Sequence, residues 1–143
     1  MIEALNIEKS FGSLKVLKGI DFRAERSEVV SIMGASGAGK STLLQILGTL
    51  SSPDNGTLRI DGTDVLTLGR KQISEFRNRR IGFVFQFYNL IPNLTALENV
   101  ELALQICKNP MDAKEVLEEV GLGDRLDNFP AQLSGGEQQR VSI

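Results

Sequence analysis

One short run of the sequence combines residue types that can hold a phosphate chain. Between residues 34 and 42 the chain reads GASGAGKST, which matches the pattern G-x-x-x-x-G-K-[ST]. Glycine lets the backbone approach an anion closely, so that several N–H groups converge on it, and a helix that begins there adds its positive end. The ammonium group of Lys40 suits the outer phosphates, and the hydroxyl of Ser41 is placed to ligate Mg²⁺. The predicted nucleoside triphosphate site consists of Gly34, Ala35, Ser36, Gly37, Ala38, Gly39, Lys40, Ser41 and Thr42.

Two elements must hold such a loop in place, and the flanking sequence predicts both. Val29 to Met33 is a mostly apolar run that reads as a strand, and the segment from Lys40 to Leu47 favours a helix that begins inside the motif. The alternative is a glycine-rich turn of an ordinary α/β domain, which needs no ligand. The order of strand, loop and helix favours the phosphate site, because that is the context in which the motif works.

The rest of the N-terminal half predicts a mixture of strands and helices. Alternation of apolar and polar residues predicts three strands, at residues 2–10, 16–24 and 57–60. Turn residues follow or precede them, at 11–13, 51–56 and 61–62. Residues 70–79 are amphipathic and predict a helix. Residues 81–85 read as a buried strand of a parallel sheet, and Gln86 stands at its carboxyl end, where open α/β sheets bind ligands.

The C-terminal part of the sequence predicts helices. Thr95 and Glu98 form the pattern of a capping box, which predicts a helix that continues through Ile106 and ends before Pro110. A second helix is predicted at about 111–120, with Gly121 as a candidate cap. A polar turn then leads into another helix, whose N-terminus is a possible anion site, although the string alone is weak support for one. The residues of this turn are Ser134, Gly135 and Gly136.

Composition narrows the class of protein and its surroundings. The 143 residues are 41% hydrophobic, enough for one globular domain, and the net charge of −2 gives no electrostatic reason to expect nucleic-acid binding. The basic cluster in the predicted helix, Arg77, Arg79 and Arg80, reads as a solvated face. The single cysteine, Cys107, lies in an apolar run and is predicted to pack there in a reducing compartment. The sequence shows neither a secretory signal nor an apolar run of ~18 residues, so a cytosolic protein, or one held at a membrane by partners, is expected.

Three motifs in this order resemble those of ABC-type ATPases. The phosphate loop comes first, the glutamine that ends IGFVFQ resembles the Q-loop, and LSGGEQQR resembles the signature motif. The resemblance extends from Ile2 to Ile143. The stretch RNRRIGFVFQFYNLIPNLTALENV is similar to ATP-binding subunits of lipoprotein-releasing and macrolide-export-type systems. Cell-division-type and amino-acid-import-type subunits share much of it and remain alternatives.

The resemblance implies an α/β P-loop fold with an antiparallel β edge and an inserted α-helical subdomain. The chain would be the N-terminal portion of one ABC ATPase domain, with the nucleotide-binding core at 1–87 and the helical subdomain at 88–140. It would be the energy-coupling subunit of a transporter that moves a lipophilic cargo or releases lipoproteins. It would lie on the cytoplasmic face of the plasma membrane, bound to transmembrane permease subunits.

The resemblance also assigns roles to single residues. Phe11 would stack on adenine, unless it is a core side chain. Lys40 and Gln86 would be catalytic, and Ser41 and Gln86 would ligate Mg²⁺. The signature residues of one subunit would bind the γ-phosphate of ATP held by a second ATP-binding subunit, in a head-to-tail dimer. These residues are Ser134, Gly135 and Gly136.

One part of the family pattern does not occur in these residues. The family hydrolyses ATP with a Walker B aspartate and a catalytic glutamate shortly after the signature helix, and with a switch histidine further on. Only three residues follow Arg140 and the sequence contains no histidine, so we expect a truncated chain that binds nucleotide without turning it over. A naturally short regulatory module and an unrelated P-loop enzyme, such as a small-molecule kinase, are the alternatives.

Overall fold

The computed structural model describes residues 1–107 and 109–143, which fall into two compact units, residues 1–82 and 83–143. The first unit contains an antiparallel sheet in the order β2-β1-β3-β4. Its strands are β1 (Ile2–Phe11), β2 (Leu14–Ala24), β3 (Asn55–Ile60) and β4 (Thr63–Asp64). Its helices are α1 (Lys40–Leu47) and α2 (Arg70–Arg80). The second unit holds α3 (Ala96–Leu104), α4 (Ala113–Glu119) and α5 (Gly135–Ser142). None of the helices in the described ranges is both long enough and apolar enough to cross a membrane.

The apolar alternation of β1 is interrupted by a bulge. Ala4 and Ile7 are both completely buried although they are three positions apart, which a regular strand would not allow. The pairing of β1 with both neighbouring strands shifts register within this stretch, since an extra residue opposes each partner. Asn6 lies in the bulge with a φ of 51°, and its backbone N–H donates to Asp21 Oδ1 at 2.7 Å. The bulge therefore returns Ile7 to the buried face, and the predicted strand is confirmed.

Helix α1 is fixed to the sheet through its apolar face. Leu43, Ile46 and Leu47 follow the helical spacing of three and four residues, and all are buried. They form one cluster with buried side chains of the sheet and of the segment after it, namely Ala4, Ile7, Leu17, Leu58, Ile60 and Val65. Burial of one such aliphatic side chain stabilises the fold by about 1.5–3 kcal/mol. The start of α1, which is the end of the phosphate loop, is thus anchored by the core.

The second unit follows the predicted capping pattern. Thr95 Oγ1 accepts a hydrogen bond from the N–H of Glu98 at 3.2 Å, and Glu98 Oε2 accepts one from the N–H of Thr95 at 2.7 Å. This capping box confirms the start of α3, which ends at Leu104 rather than at Ile106. Gly121 directly follows the cap residue of α4 with a φ of 73°, a conformation that favours glycine. The helices enclose an apolar cluster of Ala96, Leu117, Leu122, Leu133 and Val141.

Two predicted strands and one predicted core residue are wrong. Residues 29–33 and 81–85 form no strand, and the side chains of Val29 and Met33 are 97% and 87% exposed. An apolar run becomes a strand only where a neighbouring strand accepts its hydrogen bonds, and no described strand pairs with either segment. Cys107 is exposed rather than packed, with its thiol 3.9 Å from the carbonyl oxygen of Ala103 one helical turn before it.

Candidate functional site

The phosphate loop is closed on itself by its lysine. Lys40 Nζ donates to the carbonyl oxygens of Gly34 at 2.8 Å and Ala35 at 2.7 Å, so its side chain reaches back to the first two residues of the loop. The N–H of Ala38 donates to the carbonyl oxygen of Ala35 at 3.2 Å and tightens the turn between them. An ammonium group held by two carbonyl oxygens can exchange them for phosphate oxygens. The loop therefore places a cation where the motif predicts one.

Two glycines of the loop need their residue type for different reasons. Gly37 and Gly39 have φ values of 78° and 88°, in the region that L side chains rarely adopt. A Cβ on Gly37 would meet open space, whereas a Cβ on Gly39 would lie 2.9 Å from Leu17 Cδ2 and 3.0 Å from Val16 Cγ1. Gly39 thus also allows the start of α1 to approach β2 closely. The loop and the β1–β2 hairpin are joined at this point.

The N-terminus of α1 has the electrostatics of an anion site. Among the described residues, nothing accepts a hydrogen bond from the N–H groups of Lys40, Ser41 or Thr42, since the first bond of the helix runs from Leu43 to Gly39 at 2.8 Å. The first turn contains no acidic residue, and Gly39 supplies no side-chain cap. Free N–H groups, the helix dipole and the Lys40 charge all favour a bound anion. The nine residues predicted for the phosphate site are thus contiguous and exposed or half-buried around this point.

Phe11 lies at the end of the hairpin that contacts the loop. Its side chain is 55% exposed, which contradicts the alternative that it is a core residue. Phe11 is two residues beyond Lys9 on β1, a distance of about 7 Å. Lys9 pairs with Leu17 on β2, and the side chain of Leu17 lies next to Gly39 of the phosphate loop. Lys9 Nζ lies 5.8 Å from the centre of the Phe11 ring. An exposed aromatic face on this hairpin is available for a base to stack on.

The predicted second anion site lies at the N-terminus of α5, in the second unit. Ser134 Oγ accepts from the N–H of Glu137 at 3.3 Å, and Glu137 Oε2 accepts from the N–H of Ser134 at 2.7 Å. The hydrogen bonds of Ser134 and the nearby Arg125, 3.4 Å away through its Nε, lower the pKa of Glu137 below its ordinary value. No described residue accepts from the N–H groups of Gly135 or Gly136. These two groups are exposed and free to bind an anion.

Tyr88 is a neighbour of this turn that the sequence did not reveal. A Cβ on Gly135 would lie 3.0 Å from the Tyr88 hydroxyl oxygen, so the phenol stands directly over the turn. The two residues are far apart in sequence, and no spacing pattern connects them. Only the folded helical unit brings them together.

The predicted site residues are therefore divided between the units. The first unit brings the phosphate loop and the hairpin of Phe11 together. The second holds Ser134, Gly135 and Gly136, and also Gln86, which is exposed at a bend. The role of Gln86 stays a prediction.

The chemistry of the loop fits a magnesium nucleotide. The described residues contain no cluster of three or more His, Cys, Asp or Glu side chains able to hold a metal by themselves. Mg²⁺ bound to a nucleotide takes most of its ligands from phosphates and water and needs few from the protein. The exposed hydroxyl of Ser41, in the first turn of α1, suits that limited role.

Comparison with known proteins is consistent with this geometry. The ABC transporter family pattern matches residues 17–143. The lipoprotein-releasing system ATP-binding protein LolD of Porphyromonas gingivalis is 53% identical, over all of this chain and 68% of that protein. LolD of Aquifex aeolicus is 50% identical, over all of this chain and 66% of that protein.

Solved structures share the same fold. A dimeric bacterial ABC transporter cassette superimposes with a TM-score of 0.89 at 40% identity, covering all of this chain and 67% of that one. A dimeric ATP-binding cassette in a post-hydrolysis state, bound to ADP and phosphate, gives a TM-score of 0.86 at 41% identity, covering 99% of this chain and 67% of that one. The antiparallel sheet and the separate helical unit are thus parts of a known nucleotide-binding fold.

Proposed function

Because the chain belongs to the ABC transporter family, we propose that it binds MgATP as the energy-coupling subunit of a lipoprotein-releasing transporter. The observation that carries the proposal is the closed phosphate loop, in which Lys40 Nζ is bonded to the carbonyl oxygens of Gly34 and Ala35 and the N–H groups at the start of α1 are free. The identity to LolD proteins supports the lipoprotein-releasing class. A bacitracin export protein from Halalkalibacterium halodurans is 44% identical, so export of another lipophilic cargo is the second candidate.

Binding of the nucleotide would replace contacts that the loop now makes internally. The triphosphate would lie across residues 34–42, and Lys40 Nζ would exchange the carbonyl oxygens of Gly34 and Ala35 for phosphate oxygens. Ser41 Oγ would contribute one ligand to Mg²⁺, which neutralises charge on the phosphates. Phe11 would stack on the adenine ring from the hairpin.

The second anion site would act on the nucleotide of a partner copy. The free N–H groups of Gly135 and Gly136 and the cap of Ser134 would hold the γ-phosphate bound by the opposite subunit. The dimeric state of the similar cassette supports a pair of subunits, and we propose that the two pair head to tail. Gln86 would reach the metal and the attacking water, and the segment after it would respond to the transmembrane permease.

We place the subunit on the cytoplasmic face of the plasma membrane, held there by the permease.

Hydrolysis needs groups besides those that bind the phosphates. A positioned water and charge stabilisation at the γ-phosphate lower the barrier for phosphoryl transfer. The family resemblance implies a catalytic glutamate and a switch histidine for this purpose. We propose the 143 residues as the binding part of that machinery.

Gly136 offers a sharp test of the shared site. A Cβ there would meet only Arg140 Nη1, at 3.9 Å, so a side chain at this position begins in open space. Gly136→Asp places a negative charge where the γ-phosphate would bind, whereas Gly136→Ala keeps the same backbone N–H groups without it. We expect MgATP to dimerise the intact Gly136→Ala protein and not the Gly136→Asp protein, as measured by analytical ultracentrifugation. Normal dimerisation of Gly136→Asp would rule out the shared site.

Lys40→Ala tests the phosphate loop itself. Loss of a charge-assisted hydrogen bond should weaken MgATP binding by about tenfold to a hundredfold, measured by calorimetry. Lys71→Ala, on the exposed side of α2, removes the same charge outside the loop and should leave binding unchanged. Equal binding by the two variants would refute the assignment of the loop.

A further inference from the structure

The end of β1 that carries Phe11 has a paired strand on one side only. The pairing of β1 with β3 ends at Glu8, opposite Asn55, whereas its pairing with β2 continues to Phe11, opposite Leu14. Residues 9–11 therefore extend past the end of β3. A strand segment with one free edge presents backbone groups that need another partner, and it opens more easily than the centre of a sheet.

Asp54 supplies that partner from the position just before β3. Its N–H donates to the carbonyl oxygen of Glu8 at 2.8 Å. Its carboxylate accepts from the N–H of Ser10 at 2.6 Å through Oδ2, and from Lys9 Nζ at 2.9 Å through Oδ1. One residue thus holds three successive residues of β1 by three hydrogen bonds, and the next residue of the strand is Phe11.

The contact between Asp54 and Lys9 is partly sheltered from water. The Lys9 side chain is only 17% exposed, which limits the screening that weakens most surface ion pairs. Lys9 and the N–H of Ser10 lower the pKa of Asp54 below its ordinary value, so the carboxylate is ionised at neutral pH. Hydrogen bonds to an ionised acceptor are shorter and stronger than those between neutral groups.

The ammonium group of Lys9 is held where it also contacts the Phe11 ring. Lys9 Nζ lies over the ring at 5.8 Å from its centre, which is within the range of a cation–π interaction. The cation covers one face of the ring, so a planar base would stack on the opposite face. Because Asp54 binds both Lys9 Nζ and the backbone before Phe11, it fixes the position of the aromatic residue and the face that stays open.

We propose that Asp54 is a positioning residue for nucleobase binding, which holds the Phe11 ring in its stacking orientation through Ser10 and Lys9. In this role Asp54 does not contact the nucleotide. The inference rests on the proposed function, in which Phe11 stacks on adenine. It extends that function, since affinity for the base then depends on a turn residue between α1 and β3.

The test separates the base from the phosphates by comparing two ligands of the intact protein. Titration calorimetry gives the dissociation constants of MgATP and of magnesium tripolyphosphate, which carries three phosphates without base or ribose. The tripolyphosphate constant divided by the ATP constant is the nucleoside ratio, which measures what the nucleoside adds to binding. Phe11→Ala should lower this ratio about tenfold, as removal of a stacking ring does. Tripolyphosphate binding should not change.

Asp54→Ala is the decisive variant. It removes both side-chain acceptors and keeps the backbone N–H, so the nucleoside ratio should fall about threefold to tenfold, with tripolyphosphate bound as before. Asp54→Asn keeps one acceptor oxygen for the N–H of Ser10 but not the charge, and its ratio should lie between the two. Asp21→Ala is the matched control, because Asp21 Oδ1 also accepts from a backbone N–H of β1, that of Asn6, at 2.7 Å. This control should lower stability and leave the ratio unchanged.

Two lysines test the link to the ring. Lys9→Gln and Lys15→Gln each remove one cation and one ion pair from the β1–β2 hairpin, with N–O distances of 2.9 and 2.8 Å. Of the two, Lys9 is the one that lies over the Phe11 ring. Lys9→Gln should therefore lower the nucleoside ratio, and Lys15→Gln should not.

The outcomes distinguish failure of this inference from failure of the proposed base contact. If Phe11→Ala leaves the nucleoside ratio unchanged, the ring does not stack, and both are wrong. If Phe11→Ala lowers the ratio but Asp54→Ala does not, the inference alone fails. It also fails if Asp21→Ala lowers the ratio as much as Asp54→Ala, because loss of any hydrogen bond to β1 would then be sufficient.

Discussion

Gly39→Ala should destabilise the protein much more than Gly37→Ala. Both glycines have similar positive φ values, 88° and 78°, so an L side chain at either position is strained by about 1–2 kcal/mol. The surroundings differ, because the new Cβ at position 39 would lie 2.9 Å from Leu17 Cδ2 and 3.0 Å from Val16 Cγ1, whereas at position 37 it meets nothing within 4 Å. Overpacking of this kind costs about 1–3 kcal/mol.

The expected losses in free energy of unfolding are therefore about 2–5 kcal/mol for Gly39→Ala and about 1–2 kcal/mol for Gly37→Ala. The difference between them isolates the close approach of α1 to β2. Urea denaturation followed by circular dichroism measures both values, and similar slopes in the two variants would confirm that the transition itself is unchanged. A Gly39→Ala protein no less stable than Gly37→Ala would show that Val16 and Leu17 do not pack on the loop.

Three further predictions concern charge, capping and the thiol. Hydrogen bonds and ion pairs lower the pKa of four carboxyl groups in the folded chain, those of Glu8, Asp54, Asp61 and Glu137. These groups stabilise the folded chain at pH values above their ordinary pKa, which is 4.5 for glutamate and 3.8 for aspartate. The urea midpoint should therefore fall as the pH drops below these values toward the lowered pKa values, and the fall should be smaller in high salt. Thr95→Ala removes the cap of α3 and should cost about 1 kcal/mol in the same assay, whereas Thr67→Ala, outside any α-helix, should cost less. Cys107, being exposed, should react with a maleimide without denaturant, and protection from the reagent would contradict its placement.

Local patterns in the sequence were sufficient for most of the helices and for three of the strands, whereas the antiparallel edge was implied by the family resemblance. The capping box of Thr95 and Glu98 marks the start of α3 because both of its hydrogen bonds are made within one helical turn. The phosphate loop is likewise local, since the residues that shape its anion position follow one another from 34 to 42. Such features need no knowledge of the rest of the fold.

Features that depend on distant partners could not be predicted. The apolar runs at 29–33 and 81–85 have the composition of strands, but a strand also needs a neighbour to pair with, and composition does not provide one. The bulge at Asn6 was visible only as an imperfect alternation, because its cause lies in pairing with β2 and β3.

The two proposed anion positions explain why the site residues are divided between two units. Each is a helix N-terminus with free N–H groups: α1 has Lys40 within its loop and no acidic residue in its first turn, whereas the first turn of α5 contains Glu137, with Arg140 Nη1 3.9 Å from the Cβ position of residue 136. A cation and a closed loop can hold a triphosphate alone, but two exposed N–H groups beside a carboxylate provide less for that. The α5 position therefore gains by binding a phosphate that another site has already fixed. This difference in strength is what a shared nucleotide between two copies requires, and it makes Gly136→Asp a test of assembly rather than of nucleotide binding within one chain.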